Sequence, residues 1–193
     1  FLNNENSLVQ SYSHKSLLKD LPKDHDASKF NIAMGHSRLS ILDTSSLGHQ
    51  PMKTNDGKYI IVFNGEIYNF LELRNELIEL GASFTSNSDT EVILKAYQHY
   101  GEECVQKFNG MWALIIVDLN KKEIFISRDR FGKKPLFYTV HNETIYFASE
   151  ANAFKHIPTF CFEENSKLIN YYLNHGCTEW EKETVFKNIY RFN

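Results

Sequence analysis

Apolar residues recur along the chain at two spacings, one typical of strands and one typical of helices. Residues 58–63 are almost continuously apolar, which predicts a strand buried on both faces. We expect this strand to stop at Asn64-Gly65, because that dipeptide strongly favours a turn. Residues 70–80 then carry apolar side chains at helical spacing, and Gly81 follows where a helix C-cap is expected.

Helices and strands are predicted on both sides of this segment. Ser88 followed by Glu91 is a capping-box pattern, which predicts a helix that ends at Gly101. Residues 31–42 favour a strand with a polar interruption, and residues 7–21 favour a helix. Further elements are predicted in the second half: strands over residues 112–117, 123–128, 136–140 and 144–148, and short helices after Ser149 and over residues 166–174. Helices that flank a run of paired strands indicate an α+β fold.

Composition narrows the class of protein. The 193 residues are 42% hydrophobic, which is enough for one domain spanning residues 1–193. The net charge of −3 is spread along the chain, so no nucleic-acid partner is expected. No apolar run approaches the roughly 20 residues that span a membrane. The three cysteines, Cys104, Cys161 and Cys177, fit neither a disulfide framework nor a metal site, which favours reduced thiols in the cytoplasm.

Several residues could carry chemistry, and each has a plainer interpretation. Asn64 and Gly65 could supply two oxyanion donors or form an ordinary tight turn. Arg38 could bind a carboxylate or simply face solvent. Asp89 could hold an ammonium group or stabilise a helix N-terminus. The charged residues 128–135 are most simply a solvated loop.

Seven strings, taken in order, resemble the class II glutamine amidotransferase domain of asparagine synthetases. They are residues 35–43, 48–52, 63–69, 88–93, 108–113, 128–138 and 147–150. The resemblance implies a four-layer αββα sandwich of two antiparallel sheets, the fold of N-terminal-nucleophile hydrolases. It also implies that Asn64 and the Gly65 N–H stabilise the oxyanion of a tetrahedral intermediate.

The same resemblance implies a glutamine pocket. Arg38 would pair with the α-carboxylate of glutamine. Asp89 would hold the α-ammonium group, with help from Glu66. Backbone groups of Ile41 and Leu42 would line the pocket. No metal ligand and no cofactor are implied for this domain.

The implied reaction is hydrolysis of glutamine to glutamate and ammonia. A C-terminal synthetase domain, absent from this chain, would then use ATP and Mg²⁺ to amidate aspartate. Two alternatives remain open: a different acceptor, such as a sugar acid or a peptide, or a glutamine-binding or scaffolding domain without a nucleophile. The sequence also leaves open whether the protein forms a homodimer.

The sequence departs from the family pattern in two places. The family's nucleophile is an N-terminal Cys, whose own α-amino group serves as the base. This sequence begins at Phe1, and we expect it to be a truncated view of a longer chain. The family's His-Arg-Gly-Pro-Asp loop is replaced by Leu-Pro-Lys-Asp-His-Asp at residues 21–26. An enzyme, an amidotransferase of the asparagine synthetase type, remains the leading prediction.

Overall fold

The computed structural model describes residues 2–3, 30–39, 42–43, 45–176 and 182–193. The predicted helix over residues 7–21, the 21–26 segment, Ile41 and Cys177 lie outside these ranges. The chain forms two compact units. The first comprises Phe1–Gly110 and Leu114–Ser127, and the second comprises Met111–Ala113 and Arg128–Asn193.

The described residues contain nine strands and three α-helices. The strands are β1 (Leu2–Asn3), β2 (Phe30–Ile32), β3 (Met52–Lys53), β4 (Tyr59–Ile67), β5 (Gly110–Asp118), β6 (Glu123–Arg128), β7 (Phe137–His141), β8 (Thr144–Ala148) and β9 (Tyr190–Arg191). The helices are α1 (Phe70–Glu79), α2 (Asp89–Tyr100) and α3 (Ser166–His175), with shorter 3-10 helices at Ser46–Gly48, Gly101–Lys107 and Ala151–His156. Most predicted elements are present within one to three residues of their expected bounds.

Two strands differ from their predictions. β4 does not stop at Asn64-Gly65 but continues to Ile67, because its far end is paired with β5: the Tyr68 N–H donates to the Asn109 carbonyl at 2.7 Å. The strand predicted over residues 31–42 ends at Ile32, and residues 33–39 have no regular secondary structure.

A four-stranded sheet in the order β3-β4-β5-β6 supplies apolar side chains to the core of the first unit. β3 and β4 are antiparallel, with Met52 opposite Ile61. Helix α2 packs against α1, β3 and β4. The side chains of Ile60, Ile61 and Ile93 are at most 1% exposed. This core fixes the end of β4 relative to the start of α2.

The end of α1 and the start of α2 are formed as the sequence predicts. Gly81 follows α1 with φ +91°, and the N–H groups of Gly81 and Ala82 donate to the carbonyls of Ile78 and Leu77. The Ser88 hydroxyl accepts the Glu91 N–H at 3.3 Å, so Ser88 is the N-cap of α2.

The second unit is built on an antiparallel sheet in the order β8-β7-β9. Tyr138 lies opposite both Phe147 and Tyr190. A separate apolar cluster forms around Phe154, Ile157 and Ile189. The short strand β9 is the one element of this sheet that the sequence pattern does not predict.

Candidate active site

The Arg38 side chain is held in place by backbone carbonyls. Its Nη2 donates to the carbonyls of Leu42, at 2.7 Å, and Asp43, and its Nη1 donates to the Ser45 carbonyl at 3.4 Å. A Cβ atom at Gly48 would overlap the guanidinium group, so a larger residue there would displace the Arg38 side chain from this position. None of the ion pairs among the described residues involves Arg38. The guanidinium group is therefore held in a fixed position, within electrostatic range of the Asp43 carboxylate, and a fixed guanidinium group is suited to binding a carboxylate.

Asp43 joins the Arg38 loop to the start of α2. Its carboxylate accepts the N–H and hydroxyl of Ser45 on one oxygen and the Asn87 N–H, at 2.7 Å, on the other. These hydrogen bonds, that of the Ser45 hydroxyl first, hold the pKa of Asp43 below its ordinary value. Asp89 lies two residues beyond Asn87. The residue predicted to bind a carboxylate is thus connected through Asp43 to the one predicted to bind an ammonium group.

Asp89 is the first residue of α2 and is only 6% exposed. Its Oδ2 accepts the Ile67 N–H at 3.1 Å, which ties the helix to the end of β4. Burial raises the pKa of Asp89, and the neighbouring Glu66 carboxylate raises it further, while hydrogen bonds from Ile67 and Thr90 oppose the increase. Glu66 and Asp89 therefore lie close enough to interact electrostatically. Two carboxylates within electrostatic range of each other are suited to binding a cation.

The predicted oxyanion donors, Asn64 and Gly65, lie within β4, directly before Glu66. All three residues are half-buried. β5 approaches this segment closely, because Gly110 has no side chain: a Cβ there would overlap the Glu66 carbonyl oxygen and lie 3.0 Å from the Ile67 Cα. Asn64, Gly65 and Glu66 thus occupy a regular strand that is supported from both α2 and β5.

Two asparagines fix the end of that strand. The Asn69 side chain donates to the Lys107 carbonyl and accepts the Asn109 N–H, both at 2.9 Å. The Asn69 side chain thus ties the end of β4 to the start of β5, and both residues belong to strings that carry the family resemblance.

Gln50 is a residue whose contribution the sequence reasoning missed. Its side chain is 5% exposed and forms hydrogen bonds with both backbone groups of Phe63, the residue before Asn64. Its amide nitrogen also lies 3.4 Å from the hydroxyl of Thr90, the residue after Asp89. The sequence signal that could have pointed to this role is the position of Gln50 directly before Pro51 in the 48–52 string.

Glu91 shapes the loop that leads into α2. Its buried carboxylate accepts the N–H and hydroxyl groups of both Thr85 and Ser86. Burial raises the pKa of Glu91, but these hydrogen bonds outweigh that effect and the pKa lies below its ordinary value. The capping box is therefore modified: Ser88 caps the helix as predicted, while Glu91 binds Thr85 and Ser86.

The described cysteines do not supply a nucleophile. Cys104 is fully buried, and burial raises its pKa to about 12. A thiol with that pKa is protonated and unreactive at neutral pH. Cys161 belongs to the second unit, and its hydrogen bond to Glu163 raises its pKa.

The 128–135 segment is not simply solvated. The Asp129 carboxylate is buried and accepts the N–H groups of Trp112, Phe131, Lys133 and Lys134. Arg128 donates to the carbonyls of Gly132, Lys134 and Phe192. The solvated-loop interpretation is therefore wrong for these two side chains, although Phe131 is 87% exposed.

Neither a metal cluster nor a membrane-spanning helix is found within the described ranges. No group of three or more His, Cys, Asp or Glu residues there could hold a metal ion. No helix in the described part of the chain is long and apolar enough to span a membrane.

The fold is similar to that of solved amidotransferases. It matches glutamine phosphoribosylpyrophosphate amidotransferase from Bacillus subtilis with a TM-score of 0.54 and 25% identity, over 62% of this chain and 28% of that one. This similarity confirms the predicted fold class, an α+β fold of the N-terminal-nucleophile type.

The sequence also matches a family and curated relatives. Residues 20–193 match the glutamine amidotransferase domain family, and the chain belongs to that family. It is 41% identical over 156 residues to asparagine synthetase [glutamine-hydrolyzing] 1 of Bacillus subtilis, covering 76% of this chain and 24% of the relative. It is 43% identical over 140 residues to the putative asparagine synthetase [glutamine-hydrolyzing] 2 of Methanocaldococcus jannaschii, covering 65% and 27%. The chain thus spans about a quarter of these relatives.

These matches confirm the predicted family, the glutamine amidotransferase domain. The roles assigned to individual residues stay predictions. The structure brings Glu66 and Asp89 together and connects Arg38 to them through Asp43. Asn64 and Gly65 precede Glu66 on the same strand, and the Leu42 carbonyl accepts a hydrogen bond from Arg38.

Proposed function

We propose that this domain hydrolyses glutamine to glutamate and ammonia, and that the ammonia is used to amidate aspartate in an ATP-dependent reaction. The observation that carries the proposal is the connected arrangement of a positioned guanidinium group, Arg38, and two carboxylates, Glu66 and Asp89. An amino acid presents one carboxylate and one ammonium group, and this arrangement offers a partner for each.

Binding of the α-carboxylate and the α-ammonium group would orient glutamine for hydrolysis of its side-chain amide. With both charges of the α-carbon end fixed, the side-chain amide of glutamine would extend towards Asn64 and Gly65. When a nucleophile attacks the amide carbon, its oxygen gains negative charge, which the Asn64 side-chain amide and the Gly65 N–H would stabilise. Removing one such donor typically costs about 10²–10³ in rate. The nucleophile is assigned to an N-terminal Cys of the natural polypeptide.

We propose that the acceptor half of the reaction belongs to a further part of the protein, a C-terminal synthetase domain. Support comes from the relatives, which are named as glutamine-hydrolysing asparagine synthetases and of which this chain covers about a quarter. That part would bind ATP and Mg²⁺. The cytoplasm is the proposed location, consistent with two free thiols, Cys104 and Cys161.

The test is a glutaminase assay on the intact natural polypeptide, which measures glutamate released from glutamine. Glutaramic acid, which lacks the α-amino group, serves as the comparison substrate. We expect Asp89→Asn to impair hydrolysis of glutamine but to leave the slower hydrolysis of glutaramic acid unchanged. Asparagine formation from aspartate and ATP should accompany glutamate release in the parent protein.

Other results would redirect the assignment. Glutamine binding without glutamate release would indicate the scaffolding alternative. Glutamate release without asparagine formation would indicate another acceptor. Equal effects of Asp89→Asn on both substrates would contradict the ammonium-binding role.

A further inference from the structure

Gln50 lies two residues before strand β3 begins, and its side chain takes the place of a backbone partner for β4. Met52 and Lys53 pair with Ile61 and Ile60, and extending that antiparallel register by two residues places Gln50 opposite Phe63. The backbone does not make that pair. The Gln50 side chain does: its Oε1 accepts the Phe63 N–H at 2.6 Å, and its Nε2 donates to the Phe63 carbonyl at 3.0 Å.

The same amide also reaches helix α2. A primary amide has two N–H donors, and the Gln50 nitrogen lies 3.0 Å from the Phe63 carbonyl and 3.4 Å from the Thr90 hydroxyl. Phe63 precedes Asn64, and Thr90 follows Asp89. One buried side chain therefore bonds to the chain neighbours of a proposed oxyanion donor and of a proposed ammonium ligand.

We propose that Gln50 is a positioning residue for the amidotransferase reaction, which sets the distance between the oxyanion donors and the ammonium-binding carboxylate. This inference rests on the proposed function. The primary amide supplies both an acceptor for the Phe63 N–H and donors for the Phe63 carbonyl and Thr90, whereas a glutamate has no donor at neutral pH and asparagine is one methylene shorter. Glutamine is thus specified by the geometry rather than by polarity alone.

The experiment compares kinetics and stability in the intact natural polypeptide. Gln50→Met removes both sets of bonds at similar volume, and we expect kcat for glutamine hydrolysis to fall by about 10²-fold as the donors shift by roughly 1 Å. Thr90→Val removes only the α2 bond, and we expect KM for glutamine to rise about 2- to 10-fold. Thr90→Ser keeps the hydroxyl and should restore the parent KM.

Thr54→Val provides the matched structural control. Thr54 is 4% exposed and lies at the opposite end of the β3–β4 pair, where its hydroxyl bonds to Asp56 and to the Tyr59 N–H. This variant should lose thermal stability but keep the parent kcat and KM. If Gln50→Met does not fold, the Thr90→Val and Thr90→Ser pair decides the question.

The outcomes separate the two proposals. A parent protein that releases no glutamate would overturn the proposed function and, with it, the role of Gln50. An active parent in which the Gln50 and Thr90 variants lose only stability, as Thr54→Val does, would overturn the positioning role alone. A lowered kcat in Gln50→Met, with KM restored by Thr90→Ser, would support it.

Discussion

Gly110→Ala tests whether the close approach of β5 to β4 positions the proposed oxyanion strand. An added Cβ would overlap the Glu66 carbonyl oxygen and lie 3.0 Å from the Ile67 Cα and 3.2 Å from the Glu66 carbonyl carbon. Carbon atoms pack favourably at about 3.5–4.0 Å, so β4 must move by about 0.5–1 Å. All the clashing atoms belong to the backbone, and no side-chain rotation can relieve the overlap.

Gly110→Ala is expected to lower both the thermal stability of the protein and its kcat. Overpacking of this kind costs about 1–3 kcal/mol. At roughly 2–4 °C per kcal/mol for a chain of this size, Tm should fall by about 2–12 °C. A displacement approaching ~1 Å beside Gly65 should lower kcat for glutamine hydrolysis by up to about 10²-fold.

The assay measures Tm by circular dichroism and kcat by glutamate release, with Gly35→Ala as control. A Cβ at Gly35 meets no described atom within 4 Å, and this variant should stay within about 0.5 kcal/mol of the parent protein. A Gly110→Ala variant with the parent Tm and kcat would show that β4 does not need this close approach to β5.

Three further predictions concern the proposed site. Arg38→Ala should raise KM for glutamine roughly 10- to 150-fold, since hydrogen bonds to a charged group are worth about 1.5–3 kcal/mol; an unchanged KM in steady-state kinetics would contradict its role. Asn64→Ala should lower kcat by about 10²–10³ with little change in KM, and intact turnover would remove it from the oxyanion site. The pKa of Asp89 is raised by burial above its ordinary value of 3.8, so its ionised form destabilises the fold at neutral pH, and this penalty disappears as pH falls towards 3.8. Asp89→Asn should therefore unfold at a higher Tm than the parent at pH 7, with the difference shrinking in acid, while glutamine hydrolysis is lost; a lower Tm at pH 7 would contradict the reasoning.

Local sequence patterns predicted α1 and α2 well, because the residues that begin and end these helices lie within or next to them. The hydroxyl of Ser88 and the left-handed conformation of Gly81 act within one helical turn of their positions. β6 and β8 were predicted with their observed bounds, because turn residues stand beside alternating or apolar runs.

The misassignments arise where distant segments outweigh local preference. Asn64-Gly65 favours a turn in isolation, but in the fold β5 pairs beyond it and Gly110 makes room for the strand to continue. The bonds of Gln50 reach 13 and 40 residues along the chain, and no local pattern encodes them. The inward direction of Asp129 is likewise set by four backbone N–H groups that only the folded loop presents.

Several backbone N–H groups near the start of α2 donate to side chains instead of to other backbone groups, so their hydrogen exchange reports on those side chains. The N–H groups of Phe63, Ile67, Ser86 and Asn87 donate to side chains, respectively Gln50, Asp89, Glu91 and Asp43. Hydrogen exchange at each amide therefore measures how firmly one named side chain is held. Glutamine that engages Arg38 and Asp89 should slow exchange at Asn87 and Ile67 together, whereas loosening of Gln50 should appear first at Phe63. Exchange at these four amides would thus show how the proposed glutamine site becomes ordered on binding, separately from the hydrolysis step.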